Sequence, residues 1–131
     1  MLLESWLPMI AQKSTPKATW MIELHRGDVV YYGERGEFSG KLRPGVVVQR
    51  EATLVEAASV TLCGITSTAI PTNVARIAIL PSSENGLDVA SYVMIDKIAT
   101  ITRGRVRQVF GRLGSDEIAA VDHALRMWLE L

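Results

Sequence analysis

The chain has 131 residues, 48% of them hydrophobic and 21% charged, the size and balance of one folded domain rather than a disordered segment. Fourteen basic residues offset fourteen acidic ones, so the molecule as a whole exerts no electrostatic pull on nucleic acid, and any such surface must come from uneven placement of charge. A single cysteine, Cys63, excludes an internal disulfide and a cysteine-rich metal site. The first ten residues are apolar (Leu2, Leu3, Trp6, Leu7) but carry Glu4 and Pro8. They lack a basic leading region and a small-residue cleavage site, and so do not have the form of a signal peptide. No run approaches the ~20 apolar residues that span a bilayer, and a cytoplasmic location is expected. Residues 11–19 form a polar, proline-broken linker before Met21, which opens what looks like the domain start. Residues 1–20 are therefore read as an N-terminal extension, and 21–131 as the folded domain. The extension fits a disordered or misassigned start, or else an amphipathic docking arm.

From Met21 onward the pattern is mainly strand. Residues 28–32 (Asp-Val-Val-Tyr-Tyr) are β-branched and aromatic, and run into a glycine-rich polar stretch over 33–40. Residues 44–49, with Val46, Val47 and Val48 in succession, suit a strand buried on both faces. Segments 60–65 and 75–80 read as two further strands parted by Pro71-Thr72-Asn73. A loop over 82–86 precedes a strand at 91–95, and 97–107 reads as another strand, with β-propensity from Thr100, Ile101 and Thr102. A helix closes the chain. Ser115 can cap it, and Asp116 and Glu117 suit the positive end of its dipole. Ile118, Val121, Leu125 and Trp128 recur at helical spacing on one apolar face, while Asp122, Arg126 and Glu130 sit four apart as exposed ion partners. The expected fold is mainly β with α, a partly closed barrel with a C-terminal amphipathic helix.

Three features could carry chemistry. The loop over 34–41 holds Gly36 and Gly40 and leads into Lys41-Leu42-Arg43-Pro44, so Arg43 stands where a mobile loop enters a strand. An arginine there can offer a fork to a phosphate, although a solvated hairpin with a strand-edge arginine would look the same. Gly64-Ile65-Thr66-Ser67-Thr68 ends an apolar strand in hydroxyls that could bind a phosphate or base, or simply form a turn. Lys97, Arg103, Arg105, Arg107 and Arg112 lie in a stretch with no acidic residue, and on a strand Arg103, Arg105 and Arg107 would share a face. A soluble edge strand explains the same charges. His25 and His123 have no metal-ligand spacing, Cys63 reads as a buried inert thiol, and neither metal nor cofactor is expected. Tyr31 and Tyr32 read as core and strand-face residues.

Arg26-Gly27-Asp28-Val29-Val30, the glycine-rich loop, Arg43-Pro44 and the valine run resemble the opening of the MazF/PemK family of mRNA-cleaving bacterial toxins. Gly64-Ile65-Thr66-Ser67 is similar to that family's second motif, and residues 91–98 with Thr100-Ile101 to its third block. Arg105, Gly111-Arg112-Leu113 and the closing helix resemble its last block. The resemblance implies an SH3-like barrel that works as a homodimer on single-stranded RNA without a metal, restrained by a cognate antitoxin that occludes the Arg43 region. It implies that the ribose 2′-OH attacks the adjacent phosphate, with Arg43 and Thr66 as the catalytic pair. Glu37 and Asp96 are the acid–base candidates, and Lys41, Ser67, Arg103 and Arg105 the RNA-binding ones. Two departures stand out: Phe38 falls where many members place a loop glutamate, with Glu37 one position off, and Met94-Ile95-Asp96 keeps the aspartate of an Arg-x-Asp pattern without its arginine.

Two rival readings remain at this level. A gyrase-poisoning toxin of the same fold would use an apolar, tryptophan-bearing tip such as Trp128-Leu129-Glu130-Leu131, although Trp128 also fits the buried face of the helix. A non-enzymatic barrel that binds RNA or protein would share the pattern with an inactive loop.

Overall fold

The computed structural model describes residues 22–33, 41–69 and 75–131. The extension 1–20, the loop with Glu37 and Phe38, and Pro71-Thr72-Asn73 lie outside the described residues. Among the described residues six strands form one antiparallel sheet: β1 (Asp28–Gly33), β2 (Leu42–Val47), β3 (Ser59–Thr66), β4 (Arg76–Ile79), β5 (Ser91–Thr102) and β6 (Val106–Arg112). Their order is β4-β5-β3-β2-β1-β6, so the sheet stays open between β4 and β6, and the helix α1 (Ser115–Leu129) follows β6. The two strands expected at 91–95 and 97–107 are one long strand, β5. A 3-10 turn over Arg103–Arg105 ends it and starts β6, which the sequence pattern did not separate.

Alternation along the strands builds two cores, because successive side chains point to opposite faces. Val29, Val46, Cys63, Ile65, Ile79, Val93 and Ile95 face the first core, which Leu113 and Val121 complete from the α1 side. Val30, Val47, Val60, Leu62, Ile101 and Val106 face the second, closed by Leu24 and Leu54 from outside the sheet. Val46 and Val47 are thus buried on opposite faces as expected, while Val48 lies past the end of β2 and is half-buried. Cys63 is a free, buried thiol whose pKa desolvation pushes up to about 11, which leaves it inert near neutrality.

Helix α1 is set by its first turn. Gly114, not Ser115, is the N-cap, and its N–H donates to Glu117 Oε1 at 2.8 Å, while Asp116 adds charge at the positive end. Glu130 ends the helix in the left-handed region at φ 62°. Val121 is buried and Ile118 and Leu125 pack against the first core, but Trp128 is 49% exposed. The last turn of α1 instead borders, with Ala75 and Ile77 beside β4, an apolar groove of about 520 Å³. Asp122 is no surface partner of Arg126; it meets Arg26 Nη1 at 2.8 Å and ties α1 to the entry of β1. Among the described residues no helix is long and apolar enough to cross a membrane.

Between β4 and β5, the loop over 82–86 is locked. Asn85 is fully buried: its Oδ1 accepts from the Ser82 and Leu87 N–H groups, and its Nδ2 donates to Leu80 O at 2.8 Å. Gly111 allows this, since a Cβ there would lie 2.1 Å from Asn85 O.

Candidate active site

Registers across the sheet place the candidate residues. Tyr32 of β1 pairs with Arg43 of β2. The β2–β3 ladder runs Val47↔Leu62, Val46↔Cys63, Gly45↔Gly64, and the same register carried two residues further sets Arg43 across from Thr66. Thr66 in turn pairs with Tyr92 of β5, and Tyr92 with Ala78 of β4. One row on the second-core face therefore reads Tyr32, Arg43, Thr66, Tyr92, Ala78, with neighbouring strands about 4.8 Å apart. Residues 23 positions apart in sequence thus fall on the same face of adjacent strands.

Next to this row lies a glycine pair. A Cβ on Gly45 would come 2.9 Å from Tyr32 Cε1 and 3.1 Å from Cys63 O, and one on Gly64 would come 2.7 Å from Met94 Cε and 3.7 Å from the Tyr32 hydroxyl. The Tyr32 ring reaches across β2 toward β3 over these glycines, and the Met94 methyl fills the rest. The space over Gly64 is thus taken by protein. Tyr31, on the opposite face, stacks on Phe110 with centroids 4.1 Å apart.

Within the row, Arg43 is exposed and Thr66 half-buried. The Thr66 hydroxyl oxygen accepts the Thr68 N–H at 3.1 Å, a local turn that leaves its own proton to donate. Lys41 and Ser67 are exposed beside Arg43 and Thr66 in sequence. Asp96 is met by Arg76, with Nε–Oδ1 at 3.3 Å and Nη2–Oδ2 at 3.5 Å. Arg76 was not anticipated from sequence, nor was Tyr92. The register signal that finds them is the pairing of β4 with β5, which no local pattern encodes.

The basic run does not form a common face. Arg103 is 5% exposed, so its assignment to RNA binding is corrected: its guanidinium donates to the carbonyls of Leu54, Ala57 and Ile22. Burial draws its pKa down from the ordinary arginine value. Arg105 is half-buried and its Nε donates to Gly33 O at 2.7 Å, at the root of the loop between β1 and β2. The 3-10 turn is the reason, because it breaks the two-residue period on which a shared strand face depends. Among the described residues no group of His, Cys, Asp and Glu could hold a metal ion.

Residues 25–129 match the family model described as the PemK-like, MazF-like toxin of type II toxin–antitoxin systems. The chain is 33% identical over 106 residues to a probable endoribonuclease MazF of Mycolicibacterium smegmatis, covering 81% of this chain and 96% of that one. Among solved structures it is similar to a mycobacterial endoribonuclease in complex with its cognate antitoxin, at TM-score 0.67 and 22% identity, over 85% of this chain and 97% of that one. A MazE–MazF structure from Deinococcus radiodurans gives TM-score 0.69 at 20% identity, over 84% and 99%. At those identities the two structures speak to the fold.

Proposed function

The chain belongs to the PemK-like, MazF-like toxin family of type II toxin–antitoxin systems, and from that premise we propose that Arg43 and Thr66 are the catalytic pair of a metal-independent cut in single-stranded mRNA. As a toxin endoribonuclease it has RNA as substrate and a cognate antitoxin as partner. The observation that supports the site assignment is the register that puts Arg43 and Thr66 on one face of the adjacent strands β2 and β3. In the reaction the ribose 2′-oxygen bonds to the adjacent phosphorus as its proton departs. The bond to the 5′-oxygen then breaks and that oxygen takes up a proton, leaving a 2′,3′-cyclic phosphate and a free 5′-OH. Arg43 offsets the charge that builds on the phosphoryl oxygens, and Thr66 donates a hydrogen bond to one of them or orients the 2′-OH. A guanidinium with pKa above ~12 is a poor proton shuttle near neutrality, so the role of Arg43 is electrostatic. Lys41 and Ser67, exposed just beyond the pair at the same end of β2 and β3, hold flanking backbone. The working unit is a homodimer in the cytoplasm, where the substrate is.

The test is incubation of the purified protein with RNA in EDTA. Cleavage that leaves 5′-OH ends and falls by about 10²–10³ in Arg43→Ala supports the reading. Intact RNA together with stalled gyrase would instead identify a gyrase poison.

A further inference from the structure

The Arg76–Asp96 pair bridges β4 and β5 on the face that carries Arg43 and Thr66. Arg76 pairs in register with Met94, whose methyl lies over Gly64, and that fixes the face. The ladder between β3 and β5 is irregular here: Ile65 pairs with Val93 and Cys63 with Ile98, so residues 94–97 bulge opposite the single residue Gly64. Bulges of this kind re-aim side chains beside functional sites. Asp96 sits in that bulge, and Arg76 reaches to it from the edge strand.

The pair is built for something other than stability. The Arg76 side chain is 9% exposed and that of Asp96 25%. Their contacts, at 3.3 and 3.5 Å, form a loose side-on fork, and among the described residues Arg76 Nε and Asp96 Oδ1 are buried without a well-formed hydrogen bond. A buried ion pair with slack geometry recovers little of its desolvation cost, so its presence on a substrate face asks for a functional reason. A carboxylate beside an RNA backbone repels phosphate and can only accept hydrogen bonds. Two residues along β3 from Thr66 and one strand over, it stands on the order of 8–10 Å from the Thr66 backbone. That separation is comparable to one nucleotide step and longer than the hydrogen-bond reach a general base at the attacking 2′-OH would need.

We propose that the Arg76–Asp96 pair determines base specificity: Arg76 is a positioning residue that holds the Asp96 carboxylate to accept a hydrogen bond from an N–H group of the nucleobase next to the scissile phosphate. This rests on the reading that the Arg43–Thr66 face binds RNA, and it gives Asp96 a role in recognition in place of the acid–base role expected from sequence. A carboxylate accepts from amino and imino groups and repels carbonyl oxygens, so exchanging it for an amide inverts part of what the site can read.

The test uses wild type, Asp96→Asn, Arg76→Met, Arg76→Lys and the double variant Arg76→Met/Asp96→Asn. Short oligonucleotides carry a 2′-deoxyribose at the cut position and each of the four bases beside it. Fluorescence anisotropy ranks their affinities, and sequencing of cut ends from a mixed RNA pool gives the cleavage spectrum. Expected is a preference at one position that falls about tenfold in Asp96→Asn and in Arg76→Met. The double variant should lose no more than either single one, and Arg76→Lys should keep part of the preference. Asp96→Asn keeps its volume, so it reports even where Arg76→Met fails to fold. An unchanged ranking in Asp96→Asn would overturn the inference, as would a loss of kcat at every site with an unchanged spectrum. The anisotropy arm reads base preference whether or not the protein cuts. Absent cleavage, or cleavage unaffected by Arg43→Ala, therefore counts against the catalytic reading separately.

Discussion

Two arginines that look alike in the sequence do opposite things in the fold. Arg43 is exposed on the row with Thr66, whereas Arg103 donates to three carbonyls that would otherwise be stranded in the second core's margin. Arg103→Met is expected to cost about 3 kcal/mol of stability, read as a lower urea midpoint, because it leaves buried acceptors unpaired. RNA affinity of the variant at low temperature, where it is still folded, should match wild type. The glycine pair offers a second contrast at this scale. Gly45→Ala puts a methyl against the Tyr32 ring and the Cys63 carbonyl and is expected to lose about 1–3 kcal/mol and to displace Tyr32. Gly64→Ala meets the end methyl of Met94, which can swing aside, so its loss should be clearly smaller in the same denaturation measurement.

At the scale of elements, a charged clasp fastens the entry of β1 to the 3-10 turn Glu51–Thr53. His25 Nδ1 lies 2.7 Å from Glu51 Oε2 and Nε2 lies 2.7 Å from Glu23 Oε2, while the Arg26 N–H donates to Glu51 Oε1 at 2.8 Å. The hydrogen bonds to Glu51, then Glu23, raise the His25 pKa above 6.5, and Asp28 adds to the pull. The bonds from the Arg26 N–H, then His25, lower the Glu51 pKa below 4.5. The raised histidine stabilises fully below pH 6.5 and loses that contribution as pH rises through its folded value. The lowered glutamate stabilises above pH 4.5 and loses its share as pH falls through its own. The clasp is therefore strongest between those two values. Both groups are well exposed, so the effect stays under about 1 kcal/mol after screening. Urea midpoints at about pH 5.5 and about pH 8.5 should show wild type losing this increment with rising pH, and His25→Gln should flatten the difference.

For the whole molecule, the two faces of the sheet divide the work. Helix α1 covers the first core, and the Arg43–Thr66 row lies on the other side, next to the second core. Stability and catalysis should separate accordingly. Val121→Ala, in the helix interface, is expected to cost about 2 kcal/mol by loss of two buried methyl groups and the cavity left behind. Its kcat and KM on RNA at low temperature should stay at wild-type values, a split that thermal denaturation and steady-state cleavage together would reveal. The Arg26–Asp122 pair at 2.8 Å holds the helix to the entry of β1, and the buried Asn85 locks the loop between β4 and β5, neither touching the row.

Most of the strands were legible because their signals are local: β-branched runs, glycine and proline breaks, and the apolar face from Ile118 to Leu125. Local chemistry also marked Arg43 and Thr66, and the ordered blocks around them named the family that the comparisons then bore out. What no local signal holds is which strand lies beside which. Pairing of β4 with β5 brought Arg76 to Asp96, pairing of β1 with β2 laid Tyr32 beside Arg43, and a single 3-10 turn sent Arg103 inward from the run of positive charge. Sequence by itself determined the strand-rich class, the closing helix and the candidate phosphate-binding arginine. Tertiary structure alone decided which arginine serves the core, which meets the aspartate and which faces solvent, because register couples residues far apart in the chain and burial sorts identical side chains by the partners they find there.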